Sequence, residues 1–251
     1  MARSPSKPNL DKRVATAVRH FWRTRNRQGQ HQGGRSGRRD AGNRTQATGG
    51  KQLDGFTELV SELVVEAGIP EASVFSCGTK GVTLPGYFRA TKRWDVVVVA
   101  EDQLLASVEL KSLCGPSYGN NYNNRIEEAL GSAKDIWTAY REGAFDNSPQ
   151  TFVGYLMLLE EEKSSTSEVA VLEKHFRVQE EFRGASYATR REWSLRRLVR
   201  ERCYDATCLV LSDRKKGMNG KYREPAQDLC FKRFAKALCS HVKASYETIR
   251  E

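Results

Sequence analysis

The chain has 251 residues, 39% hydrophobic and 29% charged, which is enough apolar material for one sizeable core. No apolar run is long enough to span a bilayer and the N-terminus lacks the apolar segment of a secretory signal, so a cytoplasmic protein is expected. Twelve of the 41 Lys and Arg fall in residues 1–50 against two of the 31 Asp and Glu. That segment therefore carries the entire net charge of +10, the remainder is formally neutral, and a polyanionic partner such as nucleic acid is indicated.

In chain order, Val14, Ala17, Val18 and Phe21 recur at helical spacing and predict a short helix over Asp11 to Thr24, docked on the core. Arg23 to Arg44 is rich in Gly, Gln, Asn and Arg and cannot bury enough surface to form a core. It can order on a phosphate backbone, where Arg35, Arg38, Arg39 and Arg44 would displace condensed counterions; the alternative is a solubilising arm. The chain thus divides into a basic N-terminal helix and flexible arm, 1–50, and one globular domain, 51–251. A second helix is predicted over Asp54 to Ala67, with Phe56, Leu59, Val60, Leu63 and Val64 as its buried stripe and Gly68 and Pro70 ending it. Glu58, Glu62 and Glu66 line another of its faces.

Residues 94–100 (WDVVVVA) and 104–111 (LLASVELK) are β-branched, apolar runs of strand length joined by the polar Glu101-Asp102-Gln103, which predicts an antiparallel hairpin. With the turn centred on Asp102, Asp95 lies opposite Glu109. Opposed residues share a face, as do residues two apart on one strand, so Asp95, Glu109 and Lys111 converge. Two carboxylates that close repel each other unless a cation lies between them, and an all-oxygen site suits Mg²⁺. Such a site answers the difficulty of phosphodiester hydrolysis. A divalent ion stabilises charge on the phosphoryl oxygens and makes hydroxide available, while Lys111 orients the attacking water and favours its deprotonated form. Solvated residues at strand ends are the plain alternative.

After Lys111 a polar loop interleaved with aromatics, Cys114 to Asn124, leads into a helix running to about Arg141. Asn123 and Asn124 can bond adenine edges and Arg125 can take guanine or a phosphate, although Asn and Gly here also suit a turn and an N-cap. Glu127 and Glu128 read as metal partners or as first-turn acids complementing the helix dipole. Residues 151–159 and 204–211 read as strands of a sheet covered on both faces. Between them lies an Arg-dense helix, Tyr187 to Arg202, and Cys230 to Ile249 closes the chain as a core-covering helix. The six cysteines lack C-x-x-C spacing, and a zinc site at Cys203, Cys208, Cys239 and His241 is rejected because the spacing matches no common module. Gly49-Gly50-Lys51-Gln52 lacks the first Gly and the Ser or Thr of a phosphate loop.

Leu84-Pro85-Gly86-Tyr87-Phe88-Arg89, Thr91-Lys92-Arg93-Trp94-Asp95 and Val108-Glu109-Leu110-Lys111-Ser112 together resemble the PD-(D/E)xK nuclease core of type II restriction endonucleases, with Trp94 where the motif has Pro. His20-Phe21-Trp22, Gly49-Gly50-Lys51-Gln52 with Asp54-Gly55-Phe56, and Tyr122 to Ala133 narrow the likeness to the XhoI family, over nearly the whole chain. The resemblance implies an α/β fold, a mixed sheet flanked by helices, with 51–251 as the nuclease domain. It implies Mg²⁺ on Asp95 and Glu109, Lys111 as the third catalytic residue, and Arg89 and Lys92 as further DNA contacts. In several enzymes of the superfamily the second helix lends a carboxylate, here Glu58 or Glu62. It also implies recognition of the palindrome CTCGAG in double-stranded DNA, cutting after the first C to leave 5′ overhangs and 5′ phosphates, a homodimer and a cognate methyltransferase. A repair or recombination nuclease of the same superfamily and a non-catalytic DNA-binding module are the rival readings.

Overall fold

The computed structural model describes residues 9–33, 50–76 and 78–251. In chain order the helices are α1 (Leu10–Gly33), α2 (Asp54–Glu66), α3 (Tyr118–Arg141), the single turn α4 (Lys163–Thr166), α5 (Tyr187–Arg200), the single turn α6 (Arg214–Gly217) and α7 (Phe231–Thr248). The strands are β1 (Val74–Ser76), β2 (Thr83–Pro85), β3 (Thr91–Arg93), β4 (Val96–Ala100), β5 (Gln103–Leu113), β6 (Phe152–Glu160) and β7 (Ala206–Ser212). A five-stranded mixed sheet runs β1-β4-β5-β6-β7: β1, β4 and β5 pair antiparallel, whereas β6 and β7 join in parallel. The chain crosses between β5, β6 and β7 through α3 and α5, the helical crossover that parallel neighbours require. β2 and β3 form a separate hairpin.

Strand alternation decides which helix each residue meets. Val96, Val98, Ala106, Val108, Leu110, Leu156, Leu158 and Val210 face a core closed by α1, α2 and α7. Val97, Leu113, Val153, Tyr155, Met157, Leu159, Leu209 and Leu211 face the opposite core, closed by α3, α5 and the β2–β3 hairpin. The result is a sheet between two helical layers, the mixed α/β architecture expected.

Two boundaries differ from expectation. α1 does not stop at Thr24 but continues through half of the supposed arm, because Arg and Gln are good helix formers and Arg25 is buried, its Nη1 3.4 Å from Gln52 Oε1. Val14, Ala17, Val18, Phe21 and Trp22 all belong to the core, and Gly55 lets α1 approach α2 so closely that a Cβ there would lie 3.0 Å from His20 Cβ. α3 begins at Tyr118, so Asn120 to Asn124 are helical and not a loop. Tyr118 and Tyr122, one turn apart, pack against Tyr187, and Arg191 lies over the Tyr122 ring; this packing overrides the poor helix propensity of Asn and Gly. Glu127 and Glu128 are consequently well inside the helix and not in its first turn. No described helix is long and apolar enough to cross a membrane.

Candidate active site

The β4–β5 turn and its ladder do not share one register. Glu101 and Asp102 both take positive φ, 48° and 58°, the signature of a two-residue turn between Ala100 and Gln103. An unbroken ladder from that turn would set Asp95 opposite Val108. A bulge between Val98 and Val99 leaves Leu105 unpaired and moves the register by one, so that Val96 pairs with Val108, where the ladder ends. Asp95 lies in a bend just before β4, and its N–H donates to the Val108 carbonyl at 3.1 Å, so its backbone meets Val108 and not Glu109. The turn therefore falls at Glu101-Asp102 and is not centred on Asp102, and the expected pairing of Asp95 with Glu109 is not part of the ladder; their side chains nevertheless stand near enough for Asp95 to feel the charges of Glu109 and Lys111.

Asp95, Glu109 and Lys111 all point to the α3 side of the sheet. Asp95 Oδ2 accepts from the Leu110 N–H at 2.7 Å. Glu109, only 3% exposed, is held between two ammonium groups, Lys111 on Oε1 and Lys92 on Oε2 at 2.5 Å. Burial pushes the Asp95 carboxyl up to about 6, with repulsion by Glu109 adding to it; Lys111, the Leu110 N–H and Lys92 oppose the shift. Burial would raise Glu109 too, but Lys111 and Lys92 outweigh it and hold its carboxyl below the ordinary range. Lys111 is held above its ordinary range, since Glu109 and Asp95 outweigh the cost of burying the ammonium.

Lys92 arrives from β3. Its ammonium lies 4.5 Å from the Trp94 ring centroid, and Trp94 is buried with Val82 and Leu84. An aromatic at the position of the motif's Pro thus seats the short hairpin on the sheet and guides Lys92 onto Glu109. The sequence points to Lys92 only as a DNA contact; three residues from Asp95 on a neighbouring strand, its pairing with Glu109 leaves no local signal.

The site opens into a cleft of about 620 Å³ lined by Phe88, Arg89, Lys92, Glu109, Lys111, Arg125, Glu127, Glu128 and Lys134 among others. Arg125 pairs with Glu128, and Arg89 Nε lies 2.7 Å from Asp135 Oδ2. Asn124 is exposed, while Asn123 lines a separate, largely apolar cleft between α3 and α5. Glu62 and Glu66 both bind Arg13, at 2.7 and 3.0 Å, and Glu58 lines that same α1–α2 cleft, which contains none of the site residues. The α2 carboxylates thus serve α1. In the Arg-dense helix, Arg196 binds Asp228, Arg197 binds Glu181, Arg190 donates to the Val169 and Phe182 carbonyls, and Arg191 is fully buried. Arg35, Arg38, Arg39 and Arg44 lie outside the described residues.

The donor set fits a hard divalent cation. Asp95 and Glu109 are close enough for each charge to disfavour the other, and a cation between them would relieve that repulsion. Among the described residues no group of three or more His, Cys, Asp or Glu forms a cage. Mg²⁺ rarely needs one, since one or two carboxylates usually share it with water and substrate phosphate.

Comparison with known proteins gives the class first: the chain is an enzyme of the type II restriction kind, a site-specific deoxyribonuclease. It is 52% identical over 209 residues to the type II restriction enzyme BstVI of Geobacillus stearothermophilus, covering 81% of this chain and 92% of that one. It is 42% identical over 189 residues to the type II restriction enzyme XhoI of Xanthomonas vasicola, 75% of each chain, and 44% identical over 169 residues to AbrI of Azospirillum brasilense. The family model for restriction endonuclease XhoI matches residues 32–224, and the chain belongs to that family. No solved structure matches it.

Proposed function

We propose that the protein is a Mg²⁺-dependent restriction endonuclease of the PD-(D/E)xK type that hydrolyses double-stranded DNA at CTCGAG, cutting after the first C to leave 5′ overhangs with 5′ phosphates. The observation that carries the reaction is the convergence of Asp95, Glu109 and Lys111, with Glu109 and Lys111 lining an open cleft. Asp95 and Glu109 would hold Mg²⁺, which when bound stabilises charge on the phosphoryl oxygens and acidifies water. Lys111 remains an ammonium at neutral pH. It acts by donating hydrogen bonds that orient the attacking water and by stabilising the developing negative charge, not by abstracting the proton itself. Lys92 neutralises Glu109 and so keeps two carboxylates tolerable in one half-buried site.

DNA contact is assigned to Arg89, Lys92 and Arg125, which line the cleft, to Asn123 and Asn124 just before Arg125 on α3, and to Arg35, Arg38, Arg39 and Arg44 of the basic arm, which α1 anchors to the 51–251 nuclease domain. A palindrome read by a single polypeptide calls for a two-fold homodimer, one strand cut by each subunit. Host DNA would need a cognate methyltransferase, and the enzyme would work in the cytoplasm. The test is digestion of DNA of known sequence by wild type and Asp95→Ala in Mg²⁺ and in EDTA, followed by end sequencing. Discrete Mg²⁺-dependent cuts at CTCGAG, absent in the variant, are expected. A ladder without a common site would make the protein an unspecific nuclease of the same superfamily, and intact DNA would leave a binding module.

A further inference from the structure

The tip of the β2–β3 hairpin exposes two adjacent aromatic rings, Tyr87 at 54% and Phe88 at 65%, packed edge to face with centroids 5.0 Å apart. A free tip carrying such rings would be expected to fold them against the protein. This one is clamped. Asp135, 2% exposed on α3, accepts the Tyr87 and Phe88 N–H groups on Oδ1 at 2.9 and 2.8 Å and the Arg89 side chain on Oδ2 at 2.7 Å. Gly86 donates to the Ala90 carbonyl at 3.3 Å, and any Cβ at Gly86 would fall 2.5 Å from Asp135 Oδ2 and 2.7 Å from the Arg89 carbonyl oxygen, so only glycine closes the turn. A buried carboxylate spent on holding two rings in water indicates a rigid probe.

Phe88 lines the same cleft as Glu109 and Lys111, together with the cations Arg89, Lys92, Arg125 and Lys134 and the acids Glu127, Glu128 and Asp135. An apolar wedge beside five cations, Lys111 among them, matches the demands of a DNA duplex: phosphates for the cations, a base step for the ring. A protein partner would instead ask for a continuous apolar patch around the rings. We propose that Phe88, braced by Tyr87, inserts between base pairs of the bound duplex and unstacks the step beside the phosphodiester held at Asp95, Glu109 and Lys111. This inference rests on the nuclease reading above.

The experiment places 2-aminopurine at successive steps in and beside the mapped cleavage site and measures its fluorescence on binding, with Ca²⁺ replacing Mg²⁺ so that the duplex stays intact. Wild type should raise the signal at one step. Phe88→Ala should abolish that rise and weaken binding about ten-fold, the scale of removing one ring from a base stack, while Phe88→Trp restores both. Because Phe88 is exposed, an unchanged Tm certifies that the variant is folded. A Phe88→Ala variant that binds, brightens the probe and cuts like wild type overturns the wedge alone. The wedge likewise falls if Phe88→Ala changes only the sedimentation of the protein, since the rings would then contact another copy. Wild type that neither binds nor cuts duplex DNA overturns the nuclease reading, and the wedge with it.

Discussion

In the proposed reaction Asp95 is the residue on which stability and activity pull in opposite directions. Its carboxyl is raised from 3.8 to about 6, so between those values the folded protein holds a proton that the unfolded chain has released. Stability therefore falls as pH rises through that window, and above it the penalty is about 3 kcal/mol. Asp95→Asn should accordingly melt higher than wild type at pH 7.5 in EDTA and converge with it near pH 4, while Mg²⁺ raises the Tm of wild type only. Equal melting curves in EDTA at both pH values would show that Asp95 carries no such penalty. The acid limb of the cleavage rate should fall near pH 6 and move lower as Mg²⁺ is increased, since the metal competes with that proton. Glu109 has the opposite sign: its carboxyl is lowered, so its contribution is present above the ordinary glutamate range and is lost as pH falls through its depressed value. Lys111→Ala should reduce kcat by about 10²-fold or more while leaving duplex affinity in Ca²⁺ within about three-fold, as befits a group that acts on the attacking water. Single-turnover cleavage and a binding titration on the same preparation separate the two.

At the scale of elements, the β4–β5 hairpin works by a compromise. Its turn holds two L-residues in the left-handed region, Glu101 and Asp102, where Asn-Gly is preferred. Replacing them by Asn and Gly should raise stability by about 1 kcal/mol in urea unfolding, with cleavage unchanged because Asp95 stands before β4, at the far end of the ladder from the turn. A loss of activity in a more stable variant would show that the turn and Asp95 are coupled. The hairpin arms were legible from their Val-rich runs, but counting back from a turn centred on Asp102 gave Asp95 a pairing with Glu109 that the ladder does not contain. The bulge was not legible, since Leu105 differs from its neighbours in nothing but the ladder it leaves. The early start of α3 was hidden for a related reason. Asn and Gly announce a loop locally, whereas the packing of Tyr118 and Tyr122 on Tyr187 involves a segment some 65 residues on.

For the whole molecule, α1 docks on the core as expected but runs nine residues further than the sequence suggested. Trp22 is buried, and its Nε1 donates to Ser212 Oγ at 2.9 Å at the end of β7. Trp22→Ala should cost about 3–5 kcal/mol, and removal of residues 1–33 should unfold the protein, not merely weaken its hold on DNA, as circular dichroism of the truncated chain would reveal. The arginines beyond α1 belong to a different experiment. Changing Arg35, Arg38, Arg39 and Arg44 to Ala should leave the Tm unchanged and flatten the dependence of log affinity on log salt by about 0.9 for each phosphate no longer neutralised. An unchanged slope would reduce the segment to a solubilising arm.

By itself the sequence determined the strand and helix periodicities, the two-sided burial of the sheet, the placement of positive charge and the nearness of Asp95, Glu109 and Lys111. Each of these is written in residues near one another in the chain or in a repeat that elementary geometry can read. Only the tertiary structure decided that Lys92 closes on Glu109, that Asp135 clamps the Tyr87-Phe88 tip, that Glu62 and Glu66 serve Arg13 and that α1 runs on past Thr24. These depend on the meeting of distant segments, where charge and shape select a partner only after the sheet and its helices have brought the candidates together.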